Sequence, residues 1–192
     1  FLKSNRYLEA IKNYEAAIQL DPNNSGYWVN YGVAYQNIYE FDMAISCFDE
    51  AIRLSPNLAV AYNNKSHLLL LTGQFNVGWK LFEWRWKDPN QISLKNYFNK
   101  PLWLGEESLS NKIILLYAEQ GLGDTIQFAR YTELVRKLGA TIILKVPKQL
   151  FALFKNFSGV SILLDESSPI PEYDYHCPLM SLPLAFQTNL CN

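Results

Sequence analysis

The chain has 192 residues, room for one large domain or two small ones at a typical domain size of about 150 residues. Hydrophobic residues make up 49% and charged residues 18%, the composition of a chain that folds and not of a disordered one. Seventeen basic side chains stand against eighteen acidic ones, 8 against 9 up to Asn90 and 9 against 9 after it, which excludes the basic footprint of a nucleic-acid or anionic-lipid binder.

The longest uninterrupted apolar run, Ile113 to Ala118, is six residues where a spanning helix needs about 20, so no membrane span is expected. Three cysteines (Cys47, Cys177, Cys191) form no C-x-x-C pair and only two histidines are present, so no metal site is expected and a reducing, cytoplasmic setting is. The chain opens on Phe1 with no charged-then-apolar leader, and it reads as a fragment.

Leu20-Asp21-Pro22-Asn23 recurs as Leu54-Ser55-Pro56-Asn57, 34 residues later, the tetratricopeptide period. The complete middle unit reads Trp28, Tyr31, Gly32, Tyr35, Ala44, Phe48, Ala51, Pro56, which resembles the W-x2-L-G-x2-Y, A-x3-F, P pattern with Tyr in place of Leu. Gly32 and Ala44 belong where two antiparallel helices approach most closely, and Tyr35 and Phe48 fill the space between them. The preceding unit shows only its second helix (Ala10, Tyr14, Ala17, Pro22). The following one keeps Tyr62 and Phe82 but places Lys65, Ser66, Gly78 and Arg85 at the other signature positions, with Pro89 one residue early, as in a degenerate terminal repeat. A helical solenoid over 1–90 is the expectation.

Phe75, Trp79, Phe82 and Trp86 are spaced 4, 3 and 4 apart and fall on one helical face. They read as the seam between the solenoid and the next domain, with an exposed aromatic platform for sugar or peptide as the alternative. Asn30 and Asn64 occupy equivalent positions one period apart on the concave face, where asparagine amides in a ladder grip the backbone of an extended peptide. Asparagine is also simply common at this point of such repeats, so the ladder and a bland surface position both stand.

Periodicity lapses in the Asn-rich stretch 91–100, read as a linker, and a second domain follows over 101–192. There, short β-branched or leucine-rich runs alternate with helical segments: strands at 112–117, 141–146, 160–164 and 173–175, and helices at 125–138, ended by Gly139, and 149–157. Continuous apolar runs such as Ile113-Ile114-Leu115-Leu116 fit strands covered on both faces, so the fold class is an α-solenoid followed by a partial, Rossmann-like parallel α/β sheet.

In such sheets ligands sit beyond the carboxyl ends of the strands, which points to the first strand-to-helix loop, Ala118 to Asp124. A dinucleotide site is not expected: Gly121-x-Gly123 is followed by Ile126 where the third glycine belongs, and the second strand ends on Lys145 instead of a ribose-binding acid. Asp124 with Gln127 forms a capping box, which by itself accounts for the carboxylate.

The segments Gln120-Gly-Leu-Gly-Asp-Thr-Ile-Gln-Phe-Ala-Arg-Tyr131, Pro101-Leu-Trp-Leu-Gly105 and Asp174-Tyr-His-Cys-Pro-Leu-Met-Ser-Leu-Pro183 together resemble bacterial tetratricopeptide-containing glycosyltransferases of the GT-B fold. These are similar to heptosyltransferases and, more distantly, to O-linked N-acetylglucosamine transferases. The resemblance covers nearly the whole chain and implies the first part of the acceptor-side domain. It implies acceptor contacts from Gln120, Gly121, Gly123 and His176, and Asp124 as the base that takes the proton of an acceptor hydroxyl while a nucleoside diphosphate leaves the anomeric carbon. Its nucleotide-sugar donor belongs to a second domain expected beyond Asn192, so no cofactor is expected in this fragment and the chain alone is not expected to catalyse. A helix N-terminus lowers a carboxylate's pKa, which suits a base only if proton transfer is late. His176, read as lying just after the fourth strand, either touches substrate or is packed. Metal-dependent transfer needs an Asp-x-Asp pair, for which Glu172-x-Asp174 is only an approximation, so a metal-free scheme is expected.

Two functions follow as expectations. One is part of a repeat-linked glycosyltransferase whose repeats bind protein and whose acceptor is a glycan, a lipid-linked group or a protein. The other is a non-catalytic scaffold for protein–protein interaction.

Overall fold

The computed structural model describes residues 2–88 and 98–191, with side chains from Arg6 onward. The chain divides into two compact units, Phe1–Lys95 and Asn96–Asn192. The expected linker therefore lies mostly outside the described residues, and Phe98 already belongs to the second unit.

The first unit consists of α1 (Leu2–Leu20), α2 (Ser25–Asn37), α3 (Phe41–Leu54), α4 (Ala59–Leu71) and α5 (Phe75–Phe82), each packed on the next, with α2 also touching α4. α4 begins 34 residues after α2, and α5 34 after α3, so the sequence period is the structural period. Small residues set the helix approach: a Cβ on Gly32 would lie 2.6 Å from the Phe48 ring, and one on Gly78 would lie 2.7 Å from Leu70. The core gathers Val29, Ala44, Phe48, Ala51, Ala61 and Leu68, with Tyr35 packed against it.

A second periodic device ties each turn to the helix after it. Trp28 Nε1 donates to the Pro22 carbonyl at 3.0 Å, and one period later the Tyr62 hydroxyl donates to the Pro56 carbonyl at 3.1 Å. Gly73 closes the α4–α5 turn at φ 82°, and its counterpart in the previous repeat is Tyr39, at φ 67° and 80% exposed.

The aromatic stripe departs from a continuous helix. α5 ends at Phe82 and a 3₁₀ turn, Glu83–Lys87, takes over. Arg85 is the physical reason: its guanidinium is buried, donating to the Phe82 carbonyl (3.1 Å) and to Glu83 Oε1 (2.7 Å), and lies 4.3 Å from the centre of the Phe82 ring. The tighter turn lays Trp84 flat on Tyr62, centroids 3.6 Å apart. Phe82 and Trp86 are buried, Phe75 and Trp79 half-buried.

The second unit is a parallel sheet of β1 (Ile113–Tyr117), β2 (Thr141–Lys145), β3 (Ile162–Leu164) and β4 (Tyr175–Pro178), in the order β3-β2-β1-β4. The centre of β1 and β2 is fully buried, as continuous apolar runs require. Several boundaries differ from the sequence reading. β4 starts two residues later than expected, because Tyr175 and His176 pair with Ile114 and Leu115. The helix expected at 125–138 starts earlier and divides into α6 (Leu122–Ala129) and α7 (Thr132–Lys137), since Tyr131 turns inward, is 3% exposed and donates its hydroxyl to Thr188 Oγ1 at 2.9 Å. The helix expected at 149–157 is a 3₁₀ turn over Lys148–Leu150 followed by an α-helical turn over Phe151–Phe154, and β3 starts at Ile162 instead of 160.

The outer edge of β4 is covered by Pro101–Trp103. His176 N–H donates to the Pro101 carbonyl (3.1 Å) and Trp103 N–H to the His176 carbonyl (2.9 Å). Trp103 is buried and donates Nε1 to the Glu107 carbonyl, while Gly105 passes so close to Ala185 that a Cβ would collide with its carbonyl oxygen. This caps a sheet edge that would otherwise present unpaired backbone groups.

Candidate functional site

In each unit the candidate residues of the sequence point to one place. In the first it is the face shared by α2 and α4. Asn30 is exposed and Asn64 half-buried, and neither side chain makes a hydrogen bond among the described residues. Next to Asn64 in sequence, Asn63 Oδ1 is buried with no hydrogen-bond partner among the described residues. Tyr31 and Tyr35 share a hydroxyl–hydroxyl bond of 2.9 Å, and burial, reinforced by that bond, pushes the Tyr31 phenol above its ordinary range.

In the second unit the strand order decides the place. The chain runs outward from β1 to β2 to β3, then returns to the other side of β1 as β4, so the direction of winding reverses between β1 and β4. Crevices at such switch points, at the carboxyl ends of the strands, are where open α/β sheets hold ligands. The loop after β1 and the turn Leu179–Ser181 after β4 flank this one, and α6 packs on that turn.

Within the loop, Gln120, Gly121 and Gly123 are exposed and Asp124 is half-buried. Asp124 is not the cap of α6. Thr125 N–H and its hydroxyl both donate to the Gly121 carbonyl at 3.1 Å, which makes Gly121 the N-cap and leaves Asp124 inside the first turn, complementing the helix dipole. A Cβ on Gly121 would lie 3.1 Å from Asp124 Oδ2, whereas one on Gly123 would meet nothing within 4 Å. The carboxylate thus leans over a residue with no side chain, beside an open stretch of backbone.

His176 lies inside β4 and is 6% exposed. Its Nδ1 is 3.3 Å from the Tyr117 hydroxyl and its ring stacks on Phe98, centroids 4.8 Å apart, with Phe98 also stacked on Tyr117. Desolvation holds the imidazole below its ordinary range, partly offset by a bond to the Lys100 backbone. Tyr117 and Phe98 were not singled out in the sequence. Tyr117 ends an apolar strand, and Phe98 sits where no periodicity marks it.

The Glu172-x-Asp174 pair is at the other end of the sheet. Asp174 Oδ2 accepts the Ile113 N–H at 2.8 Å, at the start of β1, and Glu172 pairs with Lys100 at 3.7 Å. Among the described residues, no group of three or more His, Cys, Asp or Glu is placed to hold a metal ion, and no helix is long and apolar enough to cross a membrane.

Comparison with known proteins agrees with the first unit's period. Family profiles described as TPR repeat and Tetratricopeptide repeat match residues 1–38 and 25–58, and the first unit therefore carries tetratricopeptide repeats. The chain is 26% identical to Protein FlbA of Caulobacter vibrioides over 79% of its own length and 32% of that protein, so it spans about a third of the length of this relative. Among solved structures it is similar to the first TPR of Spaghetti (RPAP3) bound to an HSP90 peptide, at 24% identity and TM-score 0.44 over 50% of this chain and 78% of that one. It is also similar to a mutant O-GlcNAc transferase of Thermobaculum terrenum, at 13% identity and TM-score 0.42 over 84% of this chain and 38% of that one.

Proposed function

We propose that the chain is a protein-interaction scaffold whose α2–α4 face receives an extended peptide, with Asn30 and Asn64 gripping the peptide backbone. The observation that carries this reading is the pair itself: two amides one period apart, on helices in contact, neither committed to a hydrogen bond among the described residues. Each asparagine offers a donor and an acceptor, the complement of one peptide group. A net hydrogen bond is worth about 1 kcal/mol, so Asn30→Ala with Asn64→Ala weakens peptide binding by about tenfold or more. Titration of the full chain and the double variant with a selected peptide, by calorimetry, checks this. Equal affinities sink the reading.

A second reading rests on the carboxylate at the switch point. In it the second unit is the Rossmann-like, acceptor-side part of a GT-B glycosyltransferase, the donor nucleotide-sugar being held by another domain. Asp124 accepts the proton of an acceptor hydroxyl, whose oxygen bonds to the anomeric carbon as the nucleoside diphosphate departs with the old bond's electrons. Gly121 leaves the carboxylate room, and Gln120 and Gly123 border the acceptor. In the full-length protein, Asp124→Asn abolishes sugar transfer with donor binding near wild type. Unchanged turnover removes Asp124 from the mechanism.

A further inference from the structure

The charge of the α2–α4 face is as informative as its shape. Over Ser25–Asn37, α2 carries no Asp, Glu, Lys or Arg, and over Ala59–Leu71 α4 carries one, Lys65. That ammonium is taken by Asp49 of α3, and its side chain is 18% exposed. His67 of α4 is exposed with one side against Phe82, ring centroids 5.7 Å apart, and partial desolvation holds it below the ordinary histidine range. By contrast α3 carries Asp42, Asp49, Glu50 and Arg53. Neutrality therefore belongs to these two helices and not to the unit as a whole.

Geometry adds a spacing. Helices in contact stand about 8–10 Å apart, and α2 and α4 are in contact. Three residues of a polyproline II strand advance about 9 Å and return to the same side. One side of such a strand therefore meets Asn30 and, three residues on, Asn64.

We infer that the α2–α4 face selects an uncharged, extended segment of a partner protein, its backbone gripped by Asn30 and Asn64 at peptide groups three residues apart, and rejects an acidic tail. This rests on the peptide-groove reading of the same face. A carboxylate brought onto it gives up hydration and finds its one Lys already committed to Asp49, and an uncompensated charge is costly to desolvate. A neutral amide loses far less, and Asn30 and Asn64 replace what it loses.

The test is selection of random peptides displayed on phage against the full chain, with Asn30→Ala/Asn64→Ala as the counter-target. Peptides that depend on both asparagines are expected to carry near-zero net charge and no Asp or Glu over the segment that spans the two asparagines. Their Kd is expected to change by less than about twofold as salt rises from about 0.1 M to about 1 M, over which the Debye length falls from about 10 to about 3 Å. Lys65→Gln is expected to leave that Kd within about twofold of wild type. Asparagine-dependent peptides that are acidic, or that weaken about tenfold across that salt range, overturn the inference and leave the groove standing. Peptides indifferent to the double variant remove the groove itself, and the inference with it.

Discussion

Replacing Gly32 with alanine probes the repeat packing at its tightest point. A Cβ there would sit 2.6 Å from Cε1 and 2.9 Å from Cδ1 of Phe48, against the roughly 3.5–4.0 Å at which carbon atoms pack best. The ring cannot retreat, because Phe48 is fully buried in one cluster with Ala44 and Ala51, which are fully buried too. Overpacking of this kind costs about 1–3 kcal/mol, while glycine to alanine inside a helix otherwise gains about 1 kcal/mol. The difference is about 0–2 kcal/mol, and with the ring unable to retreat the upper end applies, so at about 4–8 °C per kcal/mol for a unit of this size Tm falls by about 8–16 °C. Thermal melting followed by the helical circular-dichroism signal measures it. Adding Phe48→Leu to Gly32→Ala vacates the ring's place, so the double variant loses less than the sum of the two single losses. A Tm for Gly32→Ala at or above wild type, or strict additivity in the double variant, refutes the packing argument.

Tyr39→Gly is expected to stabilise the first unit by about 0.5–1 kcal/mol, because a left-handed backbone costs a side-chain-bearing residue about 1–2 kcal/mol and glycine returns part of that as lost entropy. Chemical denaturation checks it, and a lower midpoint shows that the Tyr39–Phe41 ring contact outweighs the strain. His176 gives the second unit a pH dependence. Its folded pKa lies below the ordinary value of 6.5, so the unfolded chain binds more protons in that window and stability falls as pH drops below about 6.5. In His176→Gln this acid-side slope is expected to flatten, as measured by denaturation midpoints against pH. An identical slope in the variant assigns the dependence to other groups.

The sequence by itself determined what repeats or alternates. The 34-residue spacing set where α2, α3, α4 and α5 begin, and the apolar runs at 113–117 and 141–145 set β1 and β2 as buried parallel neighbours. It also singled out Asn30, Asn64 and the loop ending in Asp124, because period and strand-to-helix order locate faces and edges. Tertiary structure alone decided what hangs on distant partners. His176 is placed by Leu115 and by Pro101–Trp103, and meets a Tyr117 hydroxyl 59 residues away in sequence. Gly121 and not Asp124 caps α6 because the Gly121 carbonyl accepts the first helical amide, a choice that composition leaves open. Arg85 ends α5 by burying its charge against Phe82 and Glu83. Periodicity reports which face of an element is buried. Which carbonyl a donor finds depends on chain segments that periodicity does not connect.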